Sequence, residues 1–246
     1  MKYAIISDVH GNLPALEAVL ADAADNGVDG YVFAGDTMSD LPWVNEAAEI
    51  IRNLPQSYTV AGNRDSLPEK YGFGAKTLVG IDQMEVLYRT IKGLTPENFG
   101  WFSGLPKHCF VPLPFHGQAY AVHWISKLFG NEKKPWNSSK MFREIMEAQP
   151  FTHGQLLEQF SRELEGKDIR EAVREALADI DASVIVFGHS HVQWYGWCEG
   201  RLLINPGSCG LPLDFDARAP YTILEDTENG LSVEERRVTS VHPEKV

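Results

Sequence analysis

The chain has 246 residues, of which 43% are hydrophobic and 23% are charged, as is ordinary for a soluble globular protein. Its formal net charge of -12 argues against loose binding to nucleic acid or to an anionic membrane, because either partner needs a basic face. The three cysteines show no Cys-x-x-Cys spacing, which argues against a disulfide framework and favours a reducing compartment. We therefore predict a cytoplasmic protein.

The first third of the chain alternates strand and helix patterns. Short apolar runs at 3–7, 31–34 and 58–61 predict buried strands, and the first run is too short to be a signal peptide. Apolar residues recur at helical spacing over 13–26, and a second helix is predicted over 42–53. This β-α-β-α-β order predicts a parallel sheet at the centre of the fold.

The middle of the chain is more polar. We predict helices over 82–91 and 95–103, with Thr95 as the N-cap of the second, and strands over 108–111 and 118–122. The charged stretch 126–181 is predicted to be a mostly helical insertion. Because it separates two groups of candidate site residues, it is interpreted either as a lid over the site or as a peripheral helical layer.

The last part of the chain predicts strands joined by turns. The apolar runs lie at 184–187, 192–197, 202–205, 221–224 and 231–238. Turn residues between the later runs predict a largely antiparallel sheet in the second half of the chain. No run is long enough to span a bilayer, and no composition break marks a linker, so we predict one domain over residues 1–246.

Side chains that bind metals follow these strand-like runs in five places. They are Asp8, His10, Asp36, Asn63, His123, His189 and His191. Ligands gather at strand ends in open α/β sheets, so we expect these side chains to converge. Imidazole together with carboxylate suits Zn, Fe, Mn or Ni better than Ca or Mg. The pattern therefore predicts a hydrolytic site with two metal ions.

The same segments resemble the successive blocks of the calcineurin-like metallophosphoesterases. The blocks are Asp8-Val9-His10-Gly11-Asn12, Gly35-Asp36, Gly62-Asn63-Arg64-Asp65, His123 and Gly188-His189-Ser190-His191, and Asn205-Pro206-Gly207-Ser208 resembles the small bacterial and archaeal branch. The resemblance implies a four-layer α-β-β-α sandwich with two mixed sheets. It also implies one metal held by Asp8, His10, Asp36 and His191, and another held by Asp36, Asn63, His123 and His189.

The activity that the resemblance implies is a metal-dependent phosphoesterase, with a phosphodiesterase preferred over a phosphomonoesterase or nucleotidase. A hydroxide bridging two metals, with Mn or Fe favoured and Zn or Ni as alternatives, would attack a small phosphate ester. We expect neither nucleic acid nor a membrane as a partner, and the sequence favours no oligomeric state. Two other hypotheses stay open, a catalytically silent scaffold that binds proteins and a hydrolase of non-phosphate esters or amides.

Two positions depart from the family pattern. Arg64 stands where many members have His, and a guanidinium cannot donate a proton at neutral pH, although it can pair with a phosphoryl oxygen. We predict catalytic roles for Arg64 and for Asp65, which could orient it; the alternative is that Arg64 pairs with Asp65 and points away. Trp124 follows His123 where small relatives often have Gly, and it either packs in the core or lines the cleft.

Other polar residues match no ligand block. His108, His116, His153 and His242 are interpreted as surface or satisfied polar residues, with a minor alternative that His153 reaches the site. Asn205 and Ser208 are expected mainly to shape a Pro-Gly turn. Cys209 is expected to be a small buried residue, and the alternative is that it makes the site sensitive to oxidants.

Overall fold

The computed structural model of the chain describes residues 1–68, 82–125, 155 and 167–240. Its strands are β1 (Lys2–Ile6), β2 (Gly30–Phe33), β3 (Ser57–Thr59), β4 (His108–Leu113), β5 (Gly117–Val122), β6 (Val184–Val186), β7 (Gln193–Cys198), β8 (Arg201–Pro206), β9 (Ala219–Thr227) and β10 (Gly230–Val238). Its helices are α1 (Leu13–Asp25), α2 (Val44–Asn53), α3 (Asp82–Gly93), α4 (Pro96–Gly104) and α5 (Lys167–Ala176).

Local sequence signals explain where two of the helices begin. The Asn12 side chain accepts a hydrogen bond from the Ala15 amide at 3.2 Å and so caps α1. The Thr95 hydroxyl accepts one from the Asn98 amide at 3.2 Å, which confirms the predicted cap of α4. Proline lies in the first turn of both helices, where its missing N–H costs no hydrogen bond.

The first sheet has the strand order β10-β9-β1-β2-β3. Strands β1, β2 and β3 are parallel, with Ile6 opposite Phe33 and Phe33 opposite Thr59, which confirms the parallel sheet predicted for the first third of the chain. Strand β9 pairs with β1 in the antiparallel sense, and β10 pairs with β9 likewise. The carboxyl ends of β1, β2 and β3 therefore meet at one edge of this sheet.

The second sheet has the order β4-β5-β6-β8-β7. Strands β5, β6 and β8 are parallel, while β4 and β7 are antiparallel to their neighbours. The expectation of one antiparallel sheet in the second half of the chain was therefore wrong. The β7–β8 and β9–β10 hairpins are antiparallel as predicted, but they lie in different sheets. Turn residues determine a hairpin locally, whereas the sheet that a hairpin joins depends on distant strands.

The two sheets pack face to face between layers of helices. Tyr3, Ile5 and Val32 of the first sheet pack in one core with Val184 and Ile204 of the second sheet. The opposite face of the first sheet is covered by α1 and α2, through apolar residues such as Leu16, Val19 and Ile51. The opposite face of the second sheet is covered by α5, through Val173. This is the predicted four-layer α-β-β-α sandwich.

The predicted insertion over 126–181 falls mainly outside the described residues, which omit 126–154 and 156–166. Its described end includes α5, which lies on the second sheet as a peripheral layer. No helix in the described parts of the chain has the length and apolar content needed to cross a bilayer.

Candidate metal centre

All seven predicted ligands lie just beyond the carboxyl ends of strands at one end of the sandwich. Asp8 and His10 follow β1, Asp36 follows β2 and Asn63 follows β3. The second sheet contributes His123 directly after β5, and His189 and His191 after β6. Asp8, His10, Asp36 and His123 are almost completely buried, whereas Asn63 is exposed and the last two histidines are half-buried. The site therefore opens to solvent on the side of Asn63 and His189.

Asp8, His10 and His191 form a first group of donors. The Nε2 atoms of the two histidines are 3.2 Å apart. Asp8 Oδ1 lies 3.2 Å from Nε2 of His191 and 3.7 Å from Nε2 of His10. Donors about 2.0–2.2 Å from a shared ion lie roughly 3–3.6 Å from one another, so this spacing fits a single divalent cation.

Asp36, His123 and His189 form a second group, which Asn63 completes. Asn63 Oδ1 lies 2.8 Å from Nδ1 of His189 and 3.2 Å from Nε2 of His123. Nε2 of His123 is 3.3 Å from Nδ1 of His189 and 3.4 Å from Oδ2 of Asp36. Four donors at this spacing again match the ligand sphere of one divalent ion.

Contacts on the far side of two of the rings determine which nitrogen faces the donor groups. His123 Nδ1 donates to the Ala34 carbonyl, and His191 Nδ1 donates to the Leu211 carbonyl, both at 2.7 Å. Once Nδ1 carries the proton, the neutral ring presents the lone pair of Nε2, which is the form that binds metal.

The two oxygens of the Asp8 carboxylate likewise face different surroundings. Oδ2 accepts hydrogen bonds from the Ser7 hydroxyl at 2.6 Å and from the His189 amide at 3.0 Å. Oδ1 is buried, points into the first group and accepts no hydrogen bond from a described residue. A buried carboxylate oxygen left without a donor is costly unless a cation satisfies it. The donor set therefore fits divalent metal ions.

Backbone conformation aims these donors. Five of the seven ligands have positive φ angles: Asp8 (53°), His10 (50°), Asp36 (52°), His189 (70°) and His191 (58°). The left-handed region is uncommon for residues other than glycine, although Asp, Asn and His enter it more readily than most. Such strained residues cluster at functional sites, each at a cost of about 1–3 kcal/mol.

Two glycines let the ligand loops approach each other. A Cβ atom on Gly62 would overlap Oδ1 of Asp36, and one on Gly188 would overlap the Ser7 hydroxyl oxygen. A Cβ atom at position 188 would also lie 2.6 Å from Oδ2 of Asp8. Only glycine therefore fits at these two contacts.

Charge coupling inside the site shifts the pKa values of the ligands. Burial opposes ionisation of Asp8, but His191 and His123 outweigh it and hold the pKa of Asp8 well below its usual value. Burial alone would lower the pKa of His123, but the Asp36 and Asp8 carboxylates raise it to about 10. Burial and the nearby His123 lower the pKa of His189 to about 4.

Metal uptake at neutral pH is expected to release protons, because metal-free His10 and His123 are protonated there. Burial would lower the pKa of His10, but Asp40 and Asp8 raise it to about 9. A cation can bind Nε2 only when that proton leaves, so the affinity should rise as pH increases toward about 9–10. Calorimetric titration in buffers of different ionisation enthalpy should show about two protons released per chain at pH 7. His123→Ala should reduce that number by about one, whereas His108→Ala, at an exposed histidine outside both donor groups, should leave it unchanged.

Arg64 and Asp65 lie beside the second group but are not paired with each other. The Asp65 carboxylate is fully buried and accepts hydrogen bonds from the amides of Gly62, Met38 and Thr37. Neither the expectation that it orients Arg64 nor the alternative of a simple pair describes these contacts. Asp65 instead ties the loop after β3 to the loop after β2. The Arg64 amide donates to Asp36 Oδ1 at 2.7 Å, and its half-buried guanidinium helps to lower the pKa of Asp40, after the larger effect of His10.

Sequence reasoning missed Asp40, whose Oδ2 lies 2.8 Å from Nδ1 of His10. No ligand block contains it, and the only sequence signal was its position four residues after Asp36. The expected supporting roles of Asn205 and Ser208 are more specific than a turn. Asn205 donates to the Gly188 carbonyl and the Ser190 hydroxyl, both at 2.9 Å, and the Ser208 hydroxyl donates to the Asp8 carbonyl at 2.7 Å.

Of the other residues considered in the sequence, those that the structure describes belong to neither donor group. The half-buried Trp124 ring lies edge-on to His189, with centroids 4.1 Å apart, and also packs against the core beneath α5. Cys209 is buried, and burial raises its pKa to about 12, which favours the packing role over an oxidant-sensitive thiol. His116 pairs with Asp226 at 2.6 Å, and His108 lies exposed beside Tyr120. His153 and His242 lie outside the described residues.

Known proteins are similar to this chain in sequence or in fold. At 27% identity, the chain is similar to the uncharacterized protein MJ0912 of Methanocaldococcus jannaschii, over 92% of this chain and 83% of that protein. A solved metallophosphoesterase from Sphaerobacter thermophilus has 24% identity and a TM-score of 0.65, with 97% of this chain and 89% of that one covered. The hypothetical protein PH1004 from Pyrococcus horikoshii OT3 has 15% identity and a TM-score of 0.64, covering 98% and 88%. Both structures share the fold.

The family model described as calcineurin-like phosphoesterase matches residues 1–193 and so includes all seven ligand positions. This match agrees with the two groups of donors and with the ordered blocks of the sequence. The chain belongs to the calcineurin-like phosphoesterase family.

Proposed function

We propose that this chain is a phosphodiesterase that holds two divalent metal ions, with Mn or Fe favoured, and hydrolyses a small phosphate diester. The observation that carries the proposal is the pair of adjacent donor groups, in each of which ring nitrogens and a carboxylate oxygen lie at the spacing of ligands to one cation. Asp8, His10 and His191 would hold the first ion, and Asn63, His123 and His189 the second. Asp36 would serve both, since a carboxylate has enough lone pairs to bridge.

When bound, two such ions supply a nucleophile by lowering the pKa of a shared water, and they neutralise charge on the phosphoryl oxygens. The chain's own residues hold the donors and the substrate. Asp65 and the amides it binds fix the loop that carries Asn63 and Arg64. The Arg64 guanidinium would pair with a phosphoryl oxygen as a fixed positive charge.

The preference for a diester over a monoester rests on the resemblance of the sequence blocks to the family. The carboxylates of Asp8, Asp36 and Asp40 surround the donor groups, and Arg64 adds a single guanidinium. Two bound divalent ions would outweigh these three carboxylates and attract either ester, so the charge at the site does not separate a diester from a monoester. The complete set of donors also favours an enzyme over a protein-binding scaffold, because a scaffold has no need for two groups of side chains at metal-ligand spacing.

The test is a substrate panel on metal-stripped protein reconstituted with Mn, Fe, Zn or Ni. We expect about two ions per chain and faster turnover of bis(4-nitrophenyl) phosphate than of 4-nitrophenyl phosphate. His123→Ala should abolish turnover, while the matched variant His108→Ala, at an exposed histidine that belongs to neither donor group, should keep it. A preference for the monoester would make the chain a phosphomonoesterase. Full metal loading without turnover of either ester would overturn the proposal in favour of the scaffold.

Arg64 predicts a strong dependence on the leaving group. Because a guanidinium does not protonate a departing alkoxide, aryl esters should outpace alkyl esters by a wide margin. Replacing Arg64 with His supplies a proton donor, and should speed alkyl ester hydrolysis relative to aryl by roughly tenfold or more. The measurement is the rate across a series of leaving-group pKa values, with Arg174→His on α5 as the control. A flat series, or no gain on poor leaving groups, would contradict this role.

A further inference from the structure

Asp40 makes a contact with the first donor group that the ligand blocks do not include. Its Oδ2 lies 2.8 Å from Nδ1 of His10, on the side of the ring away from the donors. The His10 side chain is 3% exposed, while the Asp40 side chain is 35% exposed. The two atoms lie close enough for a strong electrostatic interaction but without the alignment of a linear hydrogen bond. The carboxylate therefore acts on His10 mainly through its charge and from the solvent side.

This partner differs in kind from those of the other ring-oriented histidines. His123 and His191 donate Nδ1 protons to backbone carbonyls, which are neutral. His10 has a charged carboxylate instead. A carboxylate beyond a ligating imidazole fixes the ring orientation and makes the facing nitrogen a stronger ligand than a carbonyl does. In the first group, the His10 ring thus has a carboxylate as its outer partner. In the second group, the His123 ring has a neutral carbonyl in that place.

The backbone around Asp40 is fixed in place to make this contact. Ser39 and Asp40 both have positive φ angles, 91° and 66°. The Leu41 amide donates to the His10 carbonyl at 3.0 Å, and the His10 amide donates to the Asp36 carbonyl at 3.0 Å. These bonds join the loop after β2 to the loop after β1. Strained backbone that two hydrogen bonds hold in place is typical of positions where a side chain has a functional role.

We propose that Asp40 is a positioning residue that holds His10 with Nε2 toward the first metal position, and so sets the metal affinity of the first group selectively. The inference rests on the proposed function only in taking the donor groups as metal sites. Asp40 belongs to neither donor group, so it would act on the metal through His10. Loss of the Asp40 side chain should weaken binding of the first ion by about 10–100-fold and leave the second ion bound.

Two variants separate the carboxylate from the backbone that carries it. Asp40→Gly removes the side chain at a positive φ angle that glycine adopts without strain. Asp40→Asn keeps an acceptor oxygen of the same shape but removes the charge, and asparagine also tolerates this conformation. Asp29→Asn is the matched control, because Asp29 precedes β2 at the opposite end of the strands.

The experiment measures metal binding and ring protonation, independently of turnover. Zinc titration against a competing chelator should give two ions in the wild-type protein and in Asp29→Asn. Asp40→Gly should bind one ion as tightly as the wild type and the other about 10–100-fold more weakly. The affinity of Asp40→Asn for this weakened ion should lie between those of Asp40→Gly and the wild type. Nitrogen NMR of the zinc-loaded proteins should show the proton on Nδ1 of His10 in the wild type and a changed Nδ1 signal in Asp40→Gly.

Several results would overturn the proposal. Unchanged affinity for both ions in a folded Asp40→Gly protein would remove the positioning role. An equal loss of affinity for both ions would show a general loss of structure, which thermal unfolding of Asp40→Gly and Asp40→Asn would also detect. A wild-type protein that binds two ions but turns over no phosphate ester would instead sink the proposed function, and it would leave the role of Asp40 standing.

Discussion

Asp36→Asn is expected to lower kcat/KM for a phosphodiester by at least about 10³-fold, equivalent to about 4 kcal/mol of transition-state stabilisation. The reason is the hydrogen bond that the Arg64 amide donates to Asp36 Oδ1 at 2.7 Å. In the variant, the amide oxygen must take that place, because an NH2 group there would face another donor. The NH2 group then points toward His123 Nε2, where Oδ2 now lies at 3.4 Å, and a donor in that position repels a cation.

The control for Asp36→Asn is Asp179→Asn, which removes the same charge from an exposed position after α5. Kinetics with bis(4-nitrophenyl) phosphate and metal content per chain should be measured together. We expect the Asp36 variant to remain folded, since it replaces one of several neighbouring carboxylates with a group of equal size. Two tightly bound ions and near wild-type turnover in this variant would show that Asp36 is not a ligand.

Gly62→Ala is expected to remove the second metal and to destabilise the metal-free fold by roughly 1–3 kcal/mol. A Cβ atom at this position would overlap both Oδ1 and the backbone nitrogen of Asp36. The nitrogen is backbone and Oδ1 is held by the Arg64 amide, so one of the two loops has to move. Asn63 is the next residue and would move with it. Urea unfolding in the presence of a chelator measures the stability, and metal content measures the site.

Gly100→Ala is the matched control for this substitution. Gly100 lies within α4, and a Cβ atom there would meet nothing within 4 Å. Alanine in an open helical position should stabilise the fold by about 0.5–1 kcal/mol, since glycine loses more backbone entropy on folding. If the two variants changed stability in the same direction and by the same amount, the close contact at Gly62 would not be the cause.

The donor groups could be predicted because each ligand follows a buried strand. Apolar runs before Asp8, Asp36 and His189 gave the strands, and parallel strand ends meet at one edge. The division of His189 and His191 between two groups came from the family resemblance, and the structure places them in those groups. The metal identity and the bridging role of Asp36 remain proposals.

What the sequence could not predict are contacts between loops that are distant in the chain. Asp65 was expected beside Arg64, its neighbour, but its carboxylate is satisfied by amides such as that of Met38, 27 positions earlier. Asp40 supports His10 from 30 positions away. Such pairings depend on which loops lie side by side, and neither local propensity nor hydrophobic periodicity contains that information. The same limit explains why two hairpins were assigned to one sheet.

Both donor groups take side chains from both halves of the sandwich. The first combines Asp8 and His10 with His191, and the second combines Asp36 with His123 and His189. The two sheets already share an apolar core and hydrogen bonds such as the one from the His189 amide to Asp8. An ion in either position would join them further, and so it links cation supply to the cohesion of the whole protein. A ligand that binds only the native state adds about 2.7 kcal/mol at a hundred times its Kd. Heat tolerance of this chain should accordingly vary with the trace-element content of its medium.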